Sequence, residues 1–253
     1  KELKNIVKIF SKNRIDFLIV KGCDLAVDIY KNISLRQMSD IDILIKEKNK
    51  ERVKKILKNY KLASDNNYEI AAQEFQYIKN FKDFNLLIEI SWNIKHISIK
   101  DPSLFKTAKL IKYKNITFKT LSNEVNLIYL ISHLREHHDY NGLNWLADLD
   151  WFINQNKIDY TKLIKEAKKY HKLNEIGFGL FLLKKYFNTS INLRINKSYY
   201  RILGLRYNSK HIFNLKRFKF NWDKKKIIDS FFKDNLSDQF KQLYHSIMQY
   251  FLG

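Results

Sequence analysis

Two carboxylates two residues apart open the chemistry of this chain, in Ser39-Asp40-Ile41-Asp42-Ile43-Leu44-Ile45. A strand alternates its side chains, so Asp40 and Asp42 share one face while Ile41, Ile43 and Ile45 share the other. Like charges held that close repel, and a strand gains nothing from them. A divalent cation relieves the repulsion, because carboxylate oxygens at this spacing can share it with a substrate's phosphates. Taken alone, the pair reads more readily as a solvated edge strand with two exposed acids, because bare Asp-x-Asp pairs are common. A third acid, Glu89, interrupts the apolar run Leu86-Leu87-Ile88-Glu89-Ile90-Ser91-Trp92. An acid inside a central strand is costly to bury unless it is paired or bound to a cation. The plain alternative is an edge strand with Glu89 turned to water.

Cationic and donor groups lie upstream. Phe17-Leu18-Ile19-Val20 reads as a buried strand and runs into Lys21-Gly22-Cys23 before a helix. Such a strand–glycine–helix junction directs backbone N–H groups at an anion above it. Arg36 and Ser39 follow just before the paired aspartates. Three carboxylates able to hold two Mg²⁺ ions, with Mn²⁺ as a substitute, and cations placed for phosphates are what nucleotidyl transfer requires. In that reading Asp40 and Asp42 hold both ions. Glu89 completes one site and takes the proton of the attacking hydroxyl. Lys21, Gly22, Cys23, Arg36 and Ser39 bind the nucleotide, and since a thiol is a weak donor, backbone N–H groups carry the contact at Cys23.

The elements that must position these groups follow from periodicity. The pattern predicts an amphipathic helix over 3–12, strands over 17–20 and 40–46, a helix over 24–30 and a charged helix over about 47–60. Strands are predicted at 74–80 and 85–92 around a turn near Lys82-Asp83, and a small hairpin within 104–120. From Ser122, an N-cap candidate, the pattern becomes helical, with further helices over 143–155, 160–171 (Asp159 as N-cap) and 173–187. The expected class is α+β: a small mixed sheet with packed helices, then a helical domain. The expected divisions are 1–115 for the catalytic domain, 116–190 for the helical domain and 191–253 for a C-terminal extension.

These motifs resemble the polymerase-β-type nucleotidyltransferase superfamily, in particular its branch of uncharacterised bacterial nucleotidyltransferases. The resemblance rests on Val20-Lys21-Gly22-Cys23-Asp24-Leu25, Tyr30, Arg36 to Ile45, Ile88-Glu89-Ile90-Ser91-Trp92, His133-Leu134 and Trp145-Leu146-Ala147-Asp148-Leu149, over roughly residues 5–190. It implies Mg²⁺-dependent transfer of NMP from an NTP to an acceptor. That acceptor is a small molecule, a protein side chain or an RNA end, with Ser91, Trp92, His133 and Asp148 as candidates for its pocket. Two departures stand out. Ser91 occupies the place of the branch's usual histidine, and Cys23 that of the superfamily's serine. A toxin-like branch shares the Lys-Gly and Arg-x-x-x-Asp-x-Asp pattern.

The C-terminal region differs in character. Between Arg194 and Lys226 there are eleven Lys or Arg residues and one acid, Asp223. Half of the chain's arginines lie there, interleaved with seven aromatics, the composition that grips a phosphate backbone and stacks unpaired bases. The same aromatics, with Ile202, Leu203, Leu205, Ile212 and Leu215, also suit packing against the helical domain, leaving the lysines as a rim. Amphipathic helices are predicted over 224–233 and 237–251. The formal charge of +21 draws anions at long range whichever reading holds. His133, His137 and His138 lack the Cys or Glu that would complete a zinc set at usual spacing. Trp92, Trp145 and Trp151 also read as core residues.

Composition closes off other classes. With 253 residues, 45% hydrophobic, the chain can build a sizeable core. A single cysteine excludes an internal disulfide framework, which suits a reducing compartment. No apolar run reaches membrane-spanning length and no signal-peptide core is visible, so a cytoplasmic location is expected. The chain opens on Lys1, and further residues are expected to precede it. Three functions follow: transfer of NMP to a small or protein acceptor, an RNA-directed or toxin-like version using segment 194–226, and a catalytically silent scaffold of the same fold.

Overall fold

The computed structural model describes residues 1–30, 33–36, 38, 40–59, 74–94 and 103–194. The chain forms two compact units that divide between Asn126 and Leu127. In the first unit the elements run α1 (Glu2–Lys12), β1 (Phe17–Val20), α2 (Lys21–Asp28), β2 (Asp40–Ile45), α3 (Lys50–Asn59), β3 (Glu74–Asn80) and β4 (Asn85–Ser91). A short helix α4 (Ser103–Lys106), the strands β5 (Lys109–Tyr113) and β6 (Ile116–Thr120), and the first turn of α5 (Asn123–His138) complete it.

Four strands make a mixed sheet in the order β1-β2-β4-β3. Strand β2 pairs antiparallel with β1 and parallel with β4, and β3 pairs antiparallel with β4. Neither β2 nor β4 is an edge strand, so the edge readings of the Asp-x-Asp pair and of Glu89 fall away. The register sorts side chains onto two faces. On one, Phe17, Ile19, Ile41, Ile43, Ile45, Ile88, Ile90, Phe75 and Tyr77 join a core with Ile6, Val7 and Phe10 of α1 and Val53, Ile56 and Leu57 of α3. Each such side chain contributes roughly 1.5–3 kcal/mol of transfer free energy. Phe10 meets Phe17 edge to face at 5.2 Å, and Phe75 meets Trp92 at 5.6 Å. The face opposite carries Asp40, Asp42, Gln76 and Glu89. Burying one face this thoroughly fixes the register, and the register places the acids.

Helix α2 begins at Lys21, three residues before the predicted start. Strand β1 passes into it with no loop between, because Lys21 turns the chain with a left-handed φ of 52°. At Ser122 the carbonyl takes the N–H of Asn126, as an N-cap's should, but the buried hydroxyl has no hydrogen-bond partner among the described residues.

The second unit holds the rest of α5, α6 (Leu143–Gln155), α7 (Tyr160–Lys169) and α8 (Leu173–Tyr186). Asp159 caps α7, accepting from the backbone N–H of Lys162 at 3.0 Å. Trp151 departs from its core reading and stands 43% exposed. Segment 195–253, including the predicted helices over 224–233 and 237–251 and nearly all of the basic aromatic segment, lies outside the described residues. No helix among the described residues is long and apolar enough to cross a membrane.

Candidate functional site

The acids come together because β2 and β4 are parallel neighbours. Asp42 stands opposite Glu89 in the ladder, and Asp40, opposite Leu87, shares the face of Asp42 two residues back. Into this pair reaches Lys21 from the β1–α2 junction. Its Nζ donates to Asp42 Oδ1 at 2.6 Å and lies 3.5 Å from Glu89 Oε1. The left-handed backbone that aims Lys21 costs a non-glycine residue about 1–3 kcal/mol, so the surrounding packing must hold it. Burial pushes the Asp42 carboxyl up to about 7; Lys21 opposes that rise, while Asp40 and Glu89 add to it.

At Gly22 the turn on the phosphate side of the site comes close to the tip of the Arg36 side chain. A Cβ there would lie 2.9 Å from an Arg36 guanidinium nitrogen and 3.7 Å from Asp40 Oδ1. Arg36 thus lies against the backbone of the turn, beside the first aspartate. Cys23, by contrast, is buried, its thiol directed at Met38 Sδ (3.5 Å) and the Asp40 carbonyl (3.6 Å). Burial, with the charges of Asp42 and Asp40, holds that thiol up at about 12, so it stays protonated. Ser39 lies outside the described residues.

The acceptor-pocket candidates fall into separate units. In the first, Ser91 donates its hydroxyl to the Ile43 carbonyl at 3.5 Å, and Trp92 is buried in the core with Lys50 Nζ 4.3 Å over its ring. In the second, Asp148 is buried and His133 half-buried. His133 is one of an aromatic group: its ring lies 4.7 Å from His137 and 5.1 Å from His138, and His138 stacks on Trp145 at 4.4 Å.

Two residues escaped the sequence reading. Gln76 stands opposite Glu89 on β3 and donates to Glu89 Oε2 at 3.4 Å. The signal was present: a hairpin closing between Asn80 and Asn85 pairs residues 76 and 89 by counting outward. Asp24 is wholly buried on α2 and accepts from Asn126 Nδ2 at 2.6 Å. Burial raises its carboxyl to about 7, against the hydrogen bond from Asn126 and a lowering influence of Thr120. Among the described residues, neither Asp24 Oδ1 nor Thr120 Oγ1 has a partner at hydrogen-bonding geometry.

The donor set at Asp40, Asp42 and Glu89 is all carboxylate oxygen, which suits a hard divalent cation, and a cation already bridges two of the three in the form of the Lys21 ammonium. The residues present therefore fit a divalent metal in kind. As they stand, they are organised around Lys21: among the described residues no group of three or more His, Cys, Asp and Glu is arranged to hold a metal ion.

Comparison with known proteins assigns a family to most of the chain. The family model described as uncharacterised nucleotidyltransferase matches residues 1–188. No curated protein sequence matches the chain. Three solved structures show some similarity to the chain. The lincosamide antibiotic adenylyltransferase LnuA, lincomycin-bound, is 15% identical, with 61% of this chain and 96% of that chain covered at a TM-score of 0.44. An antigenic nucleotidyltransferase-like protein from Paracoccidioides brasiliensis is 14% identical, with 71% and 84% covered at 0.47. The antibiotic-resistance factor ANT(2'')-Ia is 13% identical, with 81% and 94% covered at 0.41.

Proposed function

Because the chain belongs to the family of uncharacterised nucleotidyltransferases, we propose that it moves NMP from an NTP to an acceptor hydroxyl, amine or phosphate, releasing pyrophosphate. The observation that carries this reading is the register of Asp42 opposite Glu89 on interior strands, with Asp40 on the same face and a cation between the pair. Asp40, Asp42 and Glu89 would hold two Mg²⁺ ions, which when bound supply charge neutralisation at the triphosphate and at the attacking oxygen.

This chain's own residues do the rest. Backbone N–H groups at Gly22 and Cys23, in the first turn of α2, have no acceptor within their helix and bind phosphate oxygens. Arg36, lying against Gly22, neutralises the β- and γ-phosphates as pyrophosphate leaves. The acceptor oxygen forms its bond to the α-phosphorus as the bond to the bridging oxygen breaks, and the electron pair departs with pyrophosphate. Glu89 takes the acceptor's proton, with Gln76 holding its second oxygen in place. Ser91, Trp92, His133 and Asp148 stay the proposed acceptor contacts. Of these, the buried setting of Trp92 favours a supporting role.

The acceptor class stays open between small molecule, protein and RNA. The RNA-directed version is favoured by one observation, the eleven basic residues and seven aromatics of 194–226. A free buried Cys23 and the lack of any second cysteine support the cytoplasm as the place of action.

The test is pyrophosphate release from each of the four NTPs with Mg²⁺ and cell extract, using α-labelled nucleotide to find the labelled acceptor. Asp40→Asn and Asp42→Asn are each expected to abolish release, in the range of 10²-fold or more, roughly the effect of losing one charged group from a transition-state site. A folded Asp42→Asn protein with undiminished turnover would sink the reading and favour the silent scaffold.

A further inference from the structure

The pair Asp42 and Glu89 already has a cation, and it belongs to the protein. Lys21 Nζ sits 2.6 Å from one carboxylate and 3.5 Å from the other. An ammonium has three donors, and here two face carboxylates, leaving little to offer a triphosphate. The placement is enforced: Lys21 takes a left-handed φ of 52°, and the ladder fixes both acids opposite each other. Yet the contact is not sealed. The Lys21 and Glu89 side chains are 18% and 20% exposed, while that of Asp42 is 4% exposed. Glu89 is also held from its far side by Gln76, so it keeps its position without the lysine.

From this geometry we infer that Lys21 is an exchangeable counter-cation: it neutralises Asp42 and Glu89 in the nucleotide-free protein, and leaves them for the phosphates when NTP enters with its divalent ion. The inference rests on the nucleotidyltransferase reading and adds a coupling to it. A bare metal ion must displace the ammonium and strand a positive charge beside itself. Metal arriving with a triphosphate meets no such penalty, because the phosphates give Lys21 a new anionic partner. Metal and nucleotide then favour each other's binding through this one side chain, and by linkage each does so by the same factor. The site stays closed to free divalent cations until substrate is present.

The experiment uses the full chain and Mn²⁺ as probe, with free Mn²⁺ read by electron paramagnetic resonance and no turnover involved. Titrations are run alone and with the four α,β-methylene nucleoside triphosphates mixed. Wild type is expected to bind Mn²⁺ weakly alone and roughly 5- to 100-fold more tightly with the analogues, a usual range for coupled sites. Lys21→Gln should bind bare Mn²⁺ more tightly than wild type and lose most of the enhancement. Equal or weaker bare Mn²⁺ binding in Lys21→Gln, with the enhancement intact, overturns the exchange. A wild-type measurement guards against a variant that fails to fold. The ¹³Cε signal of Lys21, assigned by its loss in Lys21→Arg, should move when Mg²⁺ and the analogues are added together, and an unmoved signal overturns the exchange. Asp42→Asn separates the two levels. If it leaves Mn²⁺ binding untouched, the metal-site reading itself fails. If it removes binding while Lys21→Gln keeps full coupling, only the exchange fails.

Discussion

At the scale of single residues, this protein carries two carboxyls that its fold makes reluctant to ionise, Asp42 and Asp24. Asp24 is the cleaner probe because it lies apart from the acids of the site. Its folded carboxyl is raised to about 7 from 3.8, so the native state holds a proton that the unfolded chain has released above about pH 4. Between those values the folded form binds more protons, and stability falls as pH rises, by at most about 4 kcal/mol over the window. Asp24→Asn removes that term. Its amide can accept from Asn126 and donate toward Thr120 Oγ1. We expect the variant to unfold at a higher temperature than wild type at pH 8, to differ least at pH 4, and to show a flatter stability profile between the two. Calorimetry across that range checks it, and a profile parallel to wild type would mean Asp24 is ionised in the fold.

Elements, rather than residues, decide how tightly the second unit tolerates change. Helix α8 approaches α5 closely at Gly179, where a Cβ would fall 2.6 Å from Ile131 Cγ2 and 3.2 Å from its Cδ1. Ile131 is fully buried and branched at Cβ, so it has no free rotamer into which to retreat. Gly179→Ala should therefore destabilise by about 1–3 kcal/mol, the usual cost of overpacking, despite the better helix propensity of alanine. Denaturant unfolding gives the number. Adding Ile131→Ala should cost less than the sum of the two single changes, because each relieves the strain of the other. Strict additivity would place the strain elsewhere. In the first unit, α2 is held along its length by Asp24 with Asn126 and by Asp28 with Lys109, whose Nζ lies 2.8 Å from Asp28 Oδ2. The helix that presents the Lys21-Gly22 turn is thereby fixed to β5 and to the first turn of α5.

At the scale of the whole molecule the governing quantity is charge. A formal +21 raises the local concentration of NTP and of any anionic acceptor, an effect that salt screens over about 10 Å at 0.1 M. Attraction of this kind does not require a docking surface, and the salt dependence of binding distinguishes the two. Replacing Lys216, Arg217 and Lys219 with Ser should, if segment 194–226 grips RNA, lower affinity and make log K fall less steeply with log salt. The slope should shrink by roughly one unit for each phosphate that is no longer neutralised. Filter binding of a single-stranded RNA at several salt concentrations measures it. An unchanged slope with normal nucleotide transfer would assign the segment to packing.

The sequence by itself determined the order of the elements and the chemistry they carry. Period-two alternation in 40–45 and the apolar run of 85–91 already put the acids on strands, and helical spacing marked α1, α3 and α5 to α8. Only the tertiary structure decided that β2 and β4 are interior and parallel neighbours, since strand order depends on which faces find burial and not on any local pattern. That choice brings Asp42 opposite Glu89 across 47 residues of chain. Lys21 shows the same division. Its type and its place after a strand were legible as a phosphate-binding cation. Its seat between two carboxylates depends on a left-handed backbone angle and a ladder register, and neither is written in the spacing of residues.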